Sequence, residues 1–261
     1  MQWEFLTAPA FASAVRETAT CILPLGVLER HSDHLPLGTD FLHAHFVACR
    51  AAEIEEAVVF PPFYFGQIYE ARAFPGAFTL APKLLLELLM SVLDEIGRNG
   101  FKKIILYNGH GGNHHFLRFL AQSALWQEKS FQLYLAQELV ERSQVDAILT
   151  SDFGGHADEE ETSQILYEFP GHVDMSQVPA VPGVPRDRLG GLNAYNGFWW
   201  YADYPEHYAG DARPATAEKG QKLVDLQVQG LTRFITAVKA DQVLPGLARE
   251  FFERERGLRG A

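Results

Sequence analysis

The stretch CILPLGVLERHSDHLPLGTD (21–40) carries the reading of this chain. Its first part, CILPLGV (21–27), is an apolar run that reads as a buried strand. The strand leads straight into LERHSDHLPLGTD (28–40), which sets Glu29, His31, His34 and Asp40 within twelve positions. Imidazole and carboxylate ligands at that density suit a borderline divalent metal such as zinc, manganese or iron. Glu29 and His31 are two apart, so both can point the same way while the chain stays extended. Asp40 follows a turn built from Pro36 and Gly38, and a carboxylate there could bridge two cations. Taken alone, the segment also fits a polar loop with Thr39 or Asp40 as the N-cap of the next helix.

Outward from this segment, strand and helix patterns alternate. FLHAHFVACRAAEIEEA (41–57) reads as a helix and VVF (58–60) as a short strand. LAPKLLLELLMSVLDEIGRNG (80–100) is an amphipathic helix with Gly100 as its C-cap. KKIILYN (102–108) is a second buried strand, HHFLRFLAQSALWQEK (114–129) a helix and FQLYLA (131–136) a third strand. A long amphipathic helix covers 215–241, its apolar positions following the helical period. Such alternation predicts one α/β domain over residues 1–261, with a parallel sheet and helices on both faces. Between these elements, residues 171–215 are rich in Pro, Gly and aromatics, as in GFWWYADYPEHYAGDARP (197–214). Aromatics are costly to leave in water, so this region reads as an elaborated loop near the site or a subunit contact.

Composition narrows the function. A net charge of −11 and the lack of a basic patch before FFERERGLRGA (251–261) argue against nucleic acid or an anionic membrane as partner. No apolar run reaches the ~18 residues of a membrane span. MQWEFLTAPAF (1–11) lacks the charge and apolar pattern of a signal peptide, so the expected location is the cytoplasm. Cys21 and Cys49 both sit in apolar sequence and read as small core residues.

Two further segments concentrate ligands. NGHGGN (108–113) follows the second strand, and its glycines leave room for close backbone approach while His110 projects over the strand end. A phosphate-type anion loop is the other reading, weakened by the absence of the Walker lysine and the Rossmann spacing. In HADEEETS (156–163), four consecutive acids from Asp158 to Glu161 fit a solvated helix N-terminus. Yet His156 and Glu161 could also enter a common site. Eight of the ten histidines lie in or beside these three segments, which isolated solvated loops do not explain. The lack of a thiolate set disfavours a closed structural zinc site, and the lack of a G-x-S-x-G elbow disfavours a serine nucleophile.

LPLGVLERHSDHLPLGTD, YNGHGGN, HADEEETS and GDARPATAEKG, in this order, resemble the creatininase (creatinine amidohydrolase) family. FPGAFTL (74–80) is similar to a further family segment, and the likeness spans roughly residues 20–220. The resemblance implies a three-layer α/β/α sandwich with a central, mainly parallel sheet and a site for two divalent metal ions, with zinc, manganese or iron in view. It carries Glu29, His31, Asp40 and His110 over as metal ligands, with Asp40 as the bridge. Creatininases proper place Tyr and Glu after the second-motif histidine, and that Glu is a ligand. Here Gly111 and Gly112 stand there, so Glu161 is the expected replacement, with Glu159 second.

The reaction expected from this resemblance is hydrolysis of a non-peptide C–N bond, in a cyclic amide or formamide-type small molecule, by a metal-activated water. His156 or Glu159 would protonate the leaving nitrogen, and His34 would orient a ligand or the substrate. The aromatics of 195–208 would either wall a pocket for a flat heterocycle or pack a subunit interface. Homo-oligomers, often hexamers, are common in the family. A pathway-specific peptidase of the same family and a non-catalytic metal-binding protein on the same scaffold are the alternatives.

Overall fold

The computed structural model describes residues 1–259, so the last two residues of the basic C-terminal stretch lie outside it. In chain order the principal elements are α1 (Ala8–Thr18), β1 (Thr20–Leu25), α2 (Thr39–Ile54), β2 (Val58–Val59), α3 (Pro82–Arg98), β3 (Lys103–Asn108), α4 (His114–Ser123) and β4 (Gln132–Leu135). There follow α5 (Arg142–Asp146), β5 (Gly154–His156), α6 (Glu159–Glu168), α7 (Trp199–Asp203), β6 (Ala209–Gly210), α8 (Ala217–Ala240) and α9 (Val243–Arg259).

Alternation along β1 and β3 decides where the helices go. Cys21, Leu23, Leu25, Ile104 and Leu106 face one side of the sheet. They pack there against Leu89, Leu93 and Ile96 of α3 and Leu117 and Leu120 of α4. Ile22, Ile105 and Tyr107 face the other side. Their partners are Ala44, Val47, Ala48 and Ala51 of α2 and Val224, Val228, Leu231 and Ile235 of α8. Each large aliphatic side chain buried in this way stabilises the fold by roughly 1.5–3 kcal/mol. The four strands lie in the order β2-β1-β3-β4, all parallel. The architecture is the expected three-layer α/β/α sandwich. At the amino ends of the strands, the buried Lys103 ammonium donates to the carbonyls of Val238, Lys239 and Asp241 at 2.6–2.8 Å, fastening the sheet to the C-terminus of α8.

Register places the site. Thr20 pairs with Lys103 and Leu25 with Asn108, so β1 and β3 end level with each other and release the first and second motifs side by side. A small antiparallel pair, β5 with β6, brings His156 opposite Ala209 at the same end.

Several boundaries differ from expectation. α2 begins at Thr39, so Asp40 lies in its first turn; the N-cap is Gly38, and no side chain caps this end. α4 stops at Ser123 and passes into a 3-10 turn, Ala124–Trp126. Beyond Leu120 the segment has no buried apolar face to keep it helical, and Trp126 is 93% exposed. Cys21 is buried in the core and Cys49 half-buried, and both are free. Among the described residues no helix is long and apolar enough to cross a membrane.

Candidate metal centre

The ligand-rich segments converge at the carboxyl ends of β1 and β3, where ligands bind in open parallel sheets. Glu29 and His31 come from the loop after β1, Asp40 from the first turn of α2, and His110 from the turn after β3. His156 closes β5, and Glu161 lies in the first turn of α6. Glu29, His31, Asp40, His110 and His156 are all buried. The approach of α2 to β3 depends on Gly109, where a side chain would meet the Asp40 carbonyl oxygen at 2.5 Å.

Three overlapping triads result: Glu29–Asp40–His110, His31–Asp40–Glu161 and Glu29–His31–His156. Within each, the ligand atoms lie within 4.8 Å of one another. Asp40 belongs to two triads through different oxygens. Its Oδ1 is 3.0 Å from His31 Nε2, and its Oδ2 is 3.0 Å from His110 Nδ1. Glu161 Oε2 stands 3.7 Å from His31 Nε2 and accepts the Ala157 N–H at 2.5 Å.

Two features of this chain fit metal ions here. First, Glu29 Oε1 and Asp40 Oδ2 are buried oxygens without a hydrogen bond. His110 Nδ1 lies 2.8 and 3.0 Å from them, close enough in distance but outside hydrogen-bonding geometry. A buried unpaired carboxylate oxygen is costly, and a cation between the three atoms would satisfy all of them. Second, one ring nitrogen of each histidine is committed to a backbone carbonyl. His31 Nδ1 donates to Glu29 O at 3.3 Å, His110 Nε2 to Gln67 O at 3.0 Å and His156 Nε2 to Arg30 O at 2.7 Å. These bonds fix the tautomer and turn the other nitrogen toward the carboxylates, as metal-ligating histidines require.

Within the cluster the carboxylates and imidazoles shift one another's protonation. Burial works against a charge on His31, but Asp40, then Glu161 and Glu29, outweigh it and raise the ring to about 10. Burial likewise opposes a charge on His110, and Glu29 and Asp40 push that ring well above its ordinary value. Glu29 is held well below the usual carboxylate range because His110 and His156 overcome its burial. Burial, with Asp158 and Asp40 nearby, pushes Glu161 up to about 8 against the pull of His31. For His156, burial dominates and lowers it to about 3, with His31 and His207 adding to the shift. His156 is therefore a neutral ring whose Nδ1 faces Glu161 Oε2 at 4.0 Å.

Not every expected residue joins the cluster. Glu159 is fully buried, but its carboxylate accepts from Thr150 and Ser151 and pairs with Lys219 of α8. Those bonds lower it to about 2 despite burial, and Glu159 takes part in none of the three triads. His34 bonds Thr162 Oγ1 at 2.8 Å, next in sequence to Glu161, and no triad includes it. Asp158 caps α6, accepting the Glu161 N–H at 3.1 Å, but it is buried rather than solvated as the helix N-terminus reading expects. At Gly112 a side chain would meet His110 Nε2 at 2.5 Å.

One residue escapes the sequence reading. His207 donates from Nε2 to Glu29 Oε2 at 2.6 Å. It lies outside the three motifs, and its one signal is a single histidine inside the aromatic loop.

Two cavities meet at the cluster. One, of about 600 Å³, is walled by Tyr69, Phe116, Tyr195, Trp199 and Trp200 and reaches Glu29, His156 and Glu161. Among the described residues no Lys or Arg lines it. The other, of about 430 Å³, is polar and runs past Asp40 and Glu161 to His43, Arg142, Gln164 and Gln227.

Fold and centre together define a three-layer α/β/α protein with a carboxylate–imidazole cluster at its strand ends, able to hold metal. Residues 4–235 match the family described as creatininase, creatinine amidohydrolase. The chain belongs to the creatininase family and is a hydrolase of that family. It is 30% identical over 231 residues to a mycofactocin precursor peptide peptidase of Mycolicibacterium smegmatis, covering 80% of this chain and 81% of the relative. It is 26% identical over 235 residues to a creatinine amidohydrolase of Pseudomonas putida, covering 80% and 86%. A solved creatininase variant described as the Zn-Zn type shares the fold, with a TM-score of 0.79 and 23% identity over 92% of this chain and 98% of that one.

Proposed function

We propose that this chain is a metal-dependent amidohydrolase that cleaves a non-peptide C–N bond, of cyclic amide or formamide type, in a small flat molecule. The observation that carries the reading is Asp40, whose two oxygens face two different imidazoles in two different triads. Glu29, Asp40 and His110 would hold one divalent ion, and His31, Asp40 and Glu161 a second. Zinc, manganese and iron all suit these ligands. Such ions supply Lewis-acid polarisation and a water whose pKa falls to about 7.

The remaining work falls to the chain. The aromatic wall binds a planar group and excludes water from it. His156 is tethered through its Nε2–H to the Arg30 carbonyl, which leaves Nδ1 a bare acceptor beside the cavity, where it can take a hydrogen bond from a substrate N–H and orient the scissile group. Glu29 and Asp40 are buried, which keeps their charge focused on the reacting centre rather than dispersed in water.

Elemental analysis paired with a panel of cyclic ureas, lactams and formamides tests this. The expected result is a divalent metal at up to two equivalents and turnover of a panel member, with both abolished in Glu29→Ala and His110→Ala. Metal-dependent turnover retained in both variants would sink the assignment.

A peptidase reading has its own support. The relative at 30% identity is named a peptide peptidase. The polar cavity also continues the aromatic one past the cluster, sharing His110, Gly111, His114, Gly155 and Glu161, which would suit a longer substrate. A peptide panel run beside the small amides separates the two, because only one panel should be turned over.

A further inference from the structure

Glu29 offers Oε1 to the cluster while Oε2 is anchored elsewhere. That anchor is His207, whose Nε2 lies 2.6 Å from Glu29 Oε2, with both side chains 2% exposed. The other nitrogen of the ring, Nδ1, accepts the indole N–H of Trp200 at 3.2 Å. Indole nitrogen can only donate, so the contact leaves the His207 proton on Nε2, where it must point at Glu29. The ring is also caged by Phe74 and His156, with centroids 5.4 and 4.5 Å away. Its backbone sits at φ +53°, a left-handed conformation that residues with a side chain seldom adopt. Trp200 itself lines the aromatic cavity. A chain of donors therefore runs from the cavity wall to a carboxylate of the centre.

We propose that His207 is a positioning residue for Glu29, held in one tautomer by Trp200, and that it turns Glu29 Oε1 toward His110 and Asp40 for a divalent cation. The inference rests on the metal-centre reading above. The carboxylate needs one oxygen fixed if the other is to face a cation, and His207 makes the hydrogen bond that fixes it. Outer donors of this kind typically tune metal affinity 10- to 100-fold. The indole bond decides which ring nitrogen carries the proton, so Trp200 acts through His207.

The test is zinc and manganese affinity of the purified full chain, measured by competition with a chromophoric chelator, with thermal unfolding recorded beside it. The unsubstituted chain and Glu29→Ala come first; if the two bind equally, the metal-centre reading fails, and this inference with it. If the unsubstituted chain binds through Glu29, His207→Ala is expected to bind about 10- to 100-fold more weakly. His207→Gln, whose amide N–H can reach Glu29, is expected to recover most of that loss. Trp200→Phe keeps a ring in the wall but removes the indole donor, and should weaken binding about 2- to 10-fold, the worth of one hydrogen bond. Unchanged affinity in a folded His207→Ala would overturn the proposal while leaving the centre intact. If His207→Ala does not fold, the decision passes to His207→Gln and Trp200→Phe. His207→Gln binding as weakly as Glu29→Ala, or Trp200→Phe binding like the unsubstituted chain, then counts against the proposal.

Discussion

His31 and His110 carry protons that a metal must displace. Their rings are raised, to about 10 for His31, because the surrounding carboxylates outweigh burial. Ligand nitrogen binds metal in its neutral form, so binding releases those protons. The sign follows: lower pH favours the protonated rings and opposes the metal, and higher pH favours the metal. Apparent affinity for zinc or manganese should rise with pH between 6 and 8, by up to about tenfold per pH unit for each proton displaced. Calorimetry in buffers of differing ionisation enthalpy would count the protons. An affinity flat across that range would mean that these rings are not ligands. At this scale the sequence is informative about ligand types and poor about partners. Glu29, His31, Asp40 and His110 stand out because dense imidazole and carboxylate at strand ends is rare without a purpose. His207 does not stand out, because a single hydrogen bond across 178 positions leaves no local pattern.

At the scale of elements, α6 shows why a run of four acids resists reading. Asp158, Glu159, Glu160 and Glu161 all follow one another, yet each meets a different environment. Asp158 caps the helix, Glu159 pairs with Lys219, Glu160 lies 3.4 Å from Arg142, and Glu161 enters the centre. Helical rotation of about 100° per residue separates them, and only the neighbours at each angle decide the role. Strand identity is easier to read, because β1 is buried throughout and β3 except at Asn108, and each carries an apolar run bounded by polar residues at one or both ends, as central strands of a parallel sheet do. The Glu159 contacts join α6 to α8, the helix pair beneath the centre. Burial would raise its carboxyl, but Lys219, Ser151 and Thr150 lower it from 4.5 to about 2. A depressed folded pKa contributes stability that is complete above about 4.5 and is lost as pH falls toward 2. Glu159→Gln should therefore destabilise the fold by about 1.5–3 kcal/mol at pH 7 and flatten the acid limb of its stability profile. Denaturant melts at pH 7 and pH 3 would check both effects. Metal content should stay unchanged, and its loss in a folded variant would return Glu159 to the ligand set.

For the whole molecule, the question is what covers the apolar surface around the mouth of the aromatic cavity. His115, Phe119, Gln122 and Trp126 follow one another at helical spacing along α4 and its 3-10 extension. Phe119 is 58% exposed, Trp126 93% and Phe198 71%. The His115 ring meets Tyr195 at 6.2 Å between centroids, which joins this stripe to the aromatic loop. Exposed aromatics at that density are typical of interface cores and unusual on a free monomer surface. A second copy of the chain is the expected occupant, since most oligomers of soluble proteins are symmetric assemblies of one chain. Light scattering should give a mass that is a multiple of 29.2 kDa. Phe119→Glu with Trp126→Glu should shift it to the monomer without lowering metal content, because neither residue belongs to a triad. A monomer before any substitution would assign the loop aromatics to substrate alone. If the assembly forms and the double variant breaks it, a drop in kcat/KM with metal retained would show that the partner helps close the cavity, since Tyr195 borders both the stripe and the pocket.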